Sequence, residues 1–220
     1  MQFRIDPPLA QLQAQFAETG CALLPGFLTA PLLEPLQKLL KTAMFVPKNE
    51  IHEGTIFGST SFVPVGEPAM ETLHFILNQP DLFQIVEHIT GCSQLGNFTG
   101  RLHRTAACAG QAIDWHNDAV QGRTVGLNIN LSTEEFSGGL FQIRGPDSEM
   151  RTEVKHSTAG GAFLFRIDCG WQHRLTEVES GQRTVAVGWF RTGPDWRAAT
   201  RAWFDAGMNG GEKIQRGERI

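Results

Sequence analysis

The spacing of apolar residues divides the chain into a helical first part and a β-rich second part. Apolar residues recur at helical spacing from Leu9 to Phe16 and from Leu32 to Leu40, and a further helix is predicted over 81–90. Between the first two helices, the apolar stretch 21–27 predicts a short strand. We expect these helices to cover one face of a sheet.

Residues 46–68 break this pattern, because prolines and glycines alternate there with isoleucine, phenylalanine and valine. A long irregular segment inside a compact domain is more often functional than not. We therefore interpret 46–68 as a mobile lid or rim over a binding pocket.

From about residue 97, short alternating runs are separated by turn residues. Eight of them predict strands, at 99–107, 113–116, 123–131, 139–144, 150–156, 162–166, 172–178 and 182–191. Eight short antiparallel strands, with helices only before and after them, favour a double-sheet jelly roll over βαβ units. The predicted fold class is therefore mostly β with flanking helices.

The length of 220 residues suits one domain. We expect it to span 1–206, with 1–96 as helical support and lid and 97–196 as the jelly-roll core. A helix predicted over 196–204 ends the core. The glycine-rich, charged residues 207–220 are expected to form a flexible tail.

Composition excludes several classes of protein. A formal net charge of −4 lacks the basic excess that nucleic-acid binding needs. The sequence also contains no run of 18 apolar residues, which is the length needed to span a bilayer. The first eight residues carry two charges and no apolar segment, so no secretory signal is predicted and a cytoplasmic location is expected. The four cysteines lack a C-x-x-C pair and are predicted to be reduced.

Arginine usage points to an anionic ligand. Arginine outnumbers lysine fourteen to five, and nine arginines lie between Arg101 and Arg191. The planar guanidinium binds carboxylate and phosphate in a bidentate way, so this concentration suits a pocket for such groups. Tyrosine is absent, so another residue must serve wherever a phenol would bind a ligand.

His116 and Asp118 are two residues apart, which on an extended chain places both side chains on one face. His173 lies at the start of a much later strand. Two histidines and one carboxylate, with the rest of the coordination sphere open, form the facial triad of non-haem Fe(II) oxygenases. The sequence therefore predicts a metal site at these three residues.

Arg183 is predicted to share a face with His173. If a three-residue loop follows Val178, then His173 pairs with Val187, and Arg183 lies four residues, roughly 13 Å, farther along the same sheet. A metal at one end of a pocket and a fixed cation deeper inside match an α-keto acid with a second carboxylate. The molecule 2-oxoglutarate has that shape.

Four motifs follow one another along the second half of the chain. They are His116-x-Asp118, Ser137-Gly138-Gly139-Leu140, the run Gly161–Phe165 leading to Trp171-x-His173, and Gly181-x-Arg183 leading to Gly188–Arg191. Together they resemble the Fe(II)- and 2-oxoglutarate-dependent dioxygenases, in particular the prolyl-hydroxylase-like group. The resemblance spans about residues 97–196.

This resemblance implies a double-stranded β-helix, which is a cupin-like jelly roll. It implies that His116, Asp118 and His173 hold Fe(II), that Arg183 pairs with the distal carboxylate of 2-oxoglutarate, and that O₂ is consumed. The family commonly binds the cosubstrate with two core-strand tyrosines, which this chain lacks.

Strand alternation suggests substitutes for those tyrosines and candidates for substrate binding. If the branched residues of 125–131 pack beneath the helices, Asn128 and Asn130 point into the barrel and are predicted cosubstrate contacts. Arg101 and Arg104 lie on opposite faces of the first core strand, and either is a candidate for binding substrate near the pocket mouth.

The predicted activity is hydroxylation of a small-molecule or peptidyl substrate, possibly anionic, with release of CO₂ and succinate. One alternative is a cupin-like metal-dependent isomerase or hydrolase. Another is a non-catalytic jelly roll that keeps a metal only as a structural staple. Nucleic acid and membrane partners are not expected, and the primary substrate and the oligomeric state stay open.

Overall fold

The computed structural model describes residues 3–52, 55–62, 66–107, 112–120, 122–155, 158–168 and 170–193. The predicted helix over 196–204, the predicted tail from 207, Cys108 and Cys169 lie outside the described residues. The single-domain organisation stays a prediction. Across the described residues, no helix has both the length and the apolar character that crossing a bilayer requires.

Four helices lie in the first ninety residues. They are α1 (Leu9–Thr19), α2 (Ala30–Thr42), α3 (Pro68–Leu77) and α4 (Pro80–Thr90). Three of them match the predicted helices, and α1 and α4 end at the predicted glycines, Gly20 and Gly91. The sequence analysis missed α3, which begins with a proline in its first turn, where the lost N–H would have no helical partner.

The strands of the described residues are β1 (Cys21–Leu24), β2 (Val46–His52), β3 (Thr55–Phe62), β4 (Asn97–Ala106), β5 (Ile113–His116), β6 (Arg123–Asn130), β7 (Ser137–Gly138), β8 (Phe141–Arg144), β9 (Met150–Val154), β10 (Ala162–Arg166), β11 (Gln172–Leu175), β12 (Val178–Ser180) and β13 (Gln182–Arg191). Each of the eight predicted core strands overlaps an observed strand, whereas β2, β3 and β7 were not predicted and the predicted strand 172–178 is interrupted after residue 175.

These strands form two main antiparallel sheets. The seven-stranded sheet has the order β1-β10-β6-β13-β4-β3-β2, and the four-stranded sheet has the order β5-β11-β8-β9. A small pair, β12-β7, accompanies them. Apolar residues from both main sheets, among them Phe141, Ile143, Phe163 and Phe165, pack into one cluster between them. The predicted double-sheet jelly roll is confirmed.

The helices cover the outer face of the seven-stranded sheet. The branched residues of β6 and the residue after it, Val125, Leu127, Ile129 and Leu131, are buried in the same cluster as the helical leucines. This confirms the predicted face of β6 and turns the alternate residues toward the other sheet.

Residues 46–52 and 55–62 are more regular than expected, because β2 and β3 pair as an antiparallel hairpin. Ser61 and Phe62 pair with Arg104 and His103 of β4, so the hairpin extends the large sheet. The expectation of an irregular segment was wrong here, since the interspersed proline and glycine masked the strand pattern. Pro47 is tolerated because β2 is the edge strand.

The predicted pairing of His173 with Val187 was also wrong. His173 pairs with His116 of β5 and Ile143 of β8, whereas Val187 pairs with strands of the larger sheet. The chain leaves the smaller sheet after Leu175, so β11 and β13 belong to different sheets. The two strands therefore face each other across the barrel instead of lying side by side.

Candidate functional site

The predicted metal ligands converge at one end of the smaller sheet. His116 and His173 are direct partners across β5 and β11, with ring centroids 4.3 Å apart. Asp118 Oδ2 lies 3.4 Å from His173 Nε2, and its Oδ1 lies 4.0 Å from His116 Nε2. One potential ligand atom from each residue lies within 4.8 Å of the others. Two imidazoles and a carboxylate at this separation fit a divalent iron ion.

Backbone and amide contacts orient these side chains. His116 Nδ1 lies 2.8 Å from the carbonyl oxygen of Asp114. This contact orients the ring so that Nε2 faces Asp118. Asn117 donates to the carbonyl oxygens of Asp168, at 3.0 Å, and Trp171, at 2.5 Å. The end of β5 is thus held against the loop that leads into β11.

Asp118 is ionised throughout the neutral range. Burial raises the pKa of its carboxyl, but His173, His116 and Trp189 more than offset this effect and lower the pKa to about 2. Trp189 Nε1 donates to Asp118 Oδ2 at 2.8 Å, and Arg123 lies 3.5 Å from Oδ1. A carboxylate kept charged in this way is ready to bind a cation.

A cavity of about 330 Å³ between the two sheets contains the three metal-site residues in its lining. Strands β4, β6 and β13 contribute lining residues from the larger sheet, and β5, β8 and β11 contribute from the smaller one. Arg183 lines the same cavity. It precedes Trp189 by six residues on β13, about 20 Å along the strand, and its long side chain spans part of that distance.

Arg183 is a buried cation whose side chain makes no hydrogen bond or ion pair with any described residue. Its side chain is 3% exposed, and its Nε is buried without a partner. Burial lowers the pKa of Arg183 to about 10. A buried guanidinium that faces a cavity is complementary to a carboxylate, which fits the distal group of 2-oxoglutarate.

The two asparagines have different surroundings. Asn128 is 4% exposed and lines the cavity. Asn130 is also buried, but its Oδ1 accepts a hydrogen bond from the backbone N–H of Ser132 at 3.0 Å, and it is absent from the described lining. The structure therefore brings Asn128 to the cavity, whereas Asn130 is not among its described lining residues.

The two candidate substrate arginines are separated as their alternation on β4 requires. Arg101 lines the cavity, with Cζ 5.8 Å from the centroid of the Trp189 ring. Arg104 points to the helical side, where it donates to the carbonyl oxygen of Leu40 at 3.3 Å and lies over Phe45. The expectation that Arg104 lies near the mouth is corrected.

Sequence reasoning missed two residues that touch Asp118. Trp189 follows Arg183 by an even number of residues on one strand, so alternation alone would have placed both on the cavity side. Arg123 begins β6 only five residues after Asp118, a closeness that the sequence analysis did not use.

The fold and the site define a class of protein. A jelly roll with a His-x-Asp…His cluster at one end of its interior and a buried arginine in the same cavity is the arrangement of a non-haem iron oxygenase that consumes an α-keto acid. Residues 101–191 match the family model of the 2OG-Fe(II) oxygenase superfamily. The match lies within the jelly-roll core and agrees with the superfamily that the motifs predicted, whose reaction uses Fe(II), 2-oxoglutarate and O₂.

Solved structures with this fold span nearly the whole chain. A Burkholderia pseudomallei oxidoreductase of the 2OG-Fe(II) oxygenase family is 19% identical, with a TM-score of 0.67 over 86% of this chain and 93% of that one. A Pseudomonas putida prolyl-4-hydroxylase is 18% identical, with a TM-score of 0.63 over 84% and 100% of the two chains.

A Trichoplax adhaerens prolyl hydroxylase, solved with a hypoxia inducible factor peptide, is 13% identical with a TM-score of 0.63. It aligns over 88% of this chain and 92% of its own. The sequence comparison with curated proteins gives no significant match. At these identities the solved structures establish the shared fold.

Proposed function

We propose that this dioxygenase hydroxylates a C–H bond of a small-molecule or peptidyl substrate. The observation that carries the proposal is a cavity lined by the His116, Asp118 and His173 cluster together with buried Arg183, whose side chain pairs with no described residue. Such a pair of sites suits one ligand that is an α-keto acid at one end and a carboxylate at the other.

His116, Asp118 and His173 are proposed to hold Fe(II). When bound there with 2-oxoglutarate and O₂, iron supplies the oxidising power that inserts one oxygen atom into the substrate as 2-oxoglutarate becomes succinate and CO₂. The two histidines and the aspartate would bind the ion with three side chains and leave its remaining coordination positions open. The ionised state of Asp118 supports this role.

Arg183 is proposed to bind the distal carboxylate of 2-oxoglutarate through its guanidinium. Its burial keeps water from competing for that carboxylate, which strengthens a charge-assisted hydrogen bond. Asn128 offers an amide in the same cavity and is a second candidate contact for the cosubstrate. Asn130 is a weaker candidate, because its side-chain oxygen is bonded to Ser132.

The primary substrate is proposed to carry an anionic group. The described lining includes four arginines and one acidic residue, Asp118. Guanidinium groups therefore outnumber carboxylates in this lining three to one, even without Arg174, whose Nε donates to Gln142 Oε1. A divalent metal and dianionic 2-oxoglutarate offset each other, so the cavity stays cationic when both are bound. Arg101 and Arg123 are the candidates to receive the anion.

The test is succinate formation coupled to O₂ uptake in the presence of Fe(II) and 2-oxoglutarate. We expect the wild-type protein to bind about one Fe(II) per chain and to form succinate, and His173→Ala to lose both. His88→Ala is the matched control, because His88 is exposed at the end of α4.

Three results would contradict the proposal. Succinate formation that is unchanged in His173→Ala would remove the metal assignment. Metal-dependent turnover that consumes no O₂ or 2-oxoglutarate would instead favour an isomerase or hydrolase. Bound metal without any turnover would favour a structural role for the ion.

A further inference from the structure

Trp189 is the aromatic residue in direct contact with the proposed metal carboxylate. Its indole N–H, the only hydrogen-bonding group on this side chain, donates to Asp118 Oδ2 at 2.8 Å. The residue lies on β13, the strand that also carries Arg183. One strand thus supplies both Arg183, the proposed partner of the cosubstrate carboxylate, and Trp189, the hydrogen-bond donor to Asp118.

The two oxygens of Asp118 have different partners. Oδ2 accepts the indole N–H and lies 3.4 Å from His173 Nε2. Oδ1 lies 4.0 Å from His116 Nε2 and 3.5 Å from an Arg123 nitrogen, which is the outer limit of a hydrogen bond. The terminal torsion of an aspartate is soft, so without the short bond to Oδ2 the carboxylate could rotate.

The indole itself is held in place. Trp189 pairs with Thr99 of β4 on one side and Gly126 of β6 on the other, in the middle of the larger sheet. The guanidinium carbon of Arg123 lies 3.5 Å from the ring centroid, which is cation–π contact. The indole N–H of Trp189 is therefore oriented toward Asp118 without a bound metal.

We propose that Trp189 is a positioning residue for the metal centre. Its N–H occupies Oδ2 of Asp118, so that the carboxylate offers the metal one oxygen instead of two. A metal held by two imidazoles and one carboxylate oxygen keeps the most positions open for 2-oxoglutarate and O₂. This inference rests on the proposed metal role of Asp118, and it concerns a residue that binds neither metal nor cosubstrate.

The test compares Trp189→Phe with wild type in titrations with Mn(II) and Co(II). Phenylalanine keeps an aromatic face for Arg123 but has no N–H. We expect Mn(II) binding to weaken about 10- to 100-fold, as is usual when a hydrogen-bond partner of a metal ligand is lost. We also expect the Co(II) ligand-field absorption to change, because a freed carboxylate alters the coordination number.

Trp115→Phe is the matched control. Trp115 precedes the metal-site residue His116, and its ring is in cation–π contact with Arg144, at 4.5 Å, and Arg174, at 4.8 Å. Among the described residues, its indole makes no hydrogen bond with the metal cluster. This variant should bind Mn(II) and Co(II) as wild type does, and both variants should be folded and melt cooperatively without metal.

A measurement on the metal-free wild type guards against a variant that fails to fold. The indole N–H of Trp189 should exchange slowly with solvent in ¹⁵N-resolved NMR, and exchange should accelerate in Asp118→Ala. Equal Mn(II) affinity and an unchanged Co(II) spectrum in Trp189→Phe, or fast exchange in wild type, would overturn the positioning role alone. A wild-type protein that binds no metal would overturn the proposed metal site as well.

Discussion

The buried charge of Arg183 lowers the stability of the folded protein and at the same time favours the binding of an anion. Burial lowers the pKa of the Arg183 guanidinium from its ordinary value in the unfolded chain to about 10 in the folded protein. The folded state therefore holds the proton less tightly, and the charge opposes folding at neutral pH. This cost fades only as the pH rises through about 10 and above. An anionic ligand would remove it at neutral pH.

We therefore predict opposite effects of Arg183→Leu on stability and on cosubstrate use. The melting temperature of the ligand-free protein should rise by about 2–8 °C, because an uncompensated buried charge is removed. The 2-oxoglutarate concentration for half-maximal turnover should rise about 10- to 100-fold, since a charge-assisted bond of roughly 1.5–3 kcal/mol is lost. Thermal melts and succinate assays at varied 2-oxoglutarate measure the two effects.

Arg4→Leu is the control for this substitution, because Arg4 is 63% exposed and ion-paired with Asp6. It should leave the 2-oxoglutarate requirement unchanged. An unchanged requirement in Arg183→Leu would mean that the cosubstrate binds elsewhere.

At the scale of elements, β6 and β10 bring aromatic packing up to the metal site. Gly126 of β6 pairs with Phe165 of β10, and a Cβ on this glycine would lie 2.0 Å from the Phe165 ring. Phe165 in turn contacts the His173 ring, with centroids 4.9 Å apart. The missing side chain of Gly126 thus sets the position of a ring that supports a metal ligand.

Gly126→Ala is predicted to destabilise the protein by about 1–3 kcal/mol, because the added methyl group overpacks a buried ring. It should also weaken Mn(II) binding, since Phe165 can move only toward its neighbours, which include His173. Urea unfolding and Mn(II) titration measure the two effects.

The control is Gly91→Ala at the end of α4. Gly91 has a φ of 66° and no atom within 4 Å of an added Cβ. It should lose about 1 kcal/mol from backbone strain alone and keep its Mn(II) affinity. Equal metal affinity in wild type and Gly126→Ala would show that β10 does not support His173 in this way.

At the scale of the whole molecule, charge is distributed unevenly. The chain has a formal net charge of −4, yet its described cavity lining carries more guanidinium than carboxylate groups. Low-dielectric walls lined by one sign of charge attract ligands of the opposite sign. An anionic substrate would thus be drawn to the cavity in spite of the negative net charge of the chain.

Metabolite and peptide profiling should therefore yield an anionic substrate whose product is heavier by one oxygen atom and whose formation needs 2-oxoglutarate. With that substrate, Arg101→Gln and Arg123→Gln should each lower kcat/KM by about tenfold or more, because each removes one charge-assisted contact with the substrate. Arg104→Gln should not lower it, because Arg104 faces the helices. A neutral or cationic substrate, processed equally by all three variants, would refute the assignment.

The local pattern of this sequence was sufficient to predict the strands of the core, the inward face of β6, and the three residue types of the metal cluster. Strand alternation has a period of two, and a ligand pair such as His116 and Asp118 needs only neighbouring positions on one chain. The family motifs then linked this pair to His173 and Arg183, which are distant in sequence.

Only the tertiary structure decided which strands are neighbours. It placed β11 and β13 in different sheets, added the β2–β3 hairpin to β4, and turned Arg104 toward the helices. It also brought Trp189 within 2.8 Å of Asp118, a contact between residues 71 positions apart. Such contacts depend on how two sheets face each other, and a local periodicity carries no information about that arrangement.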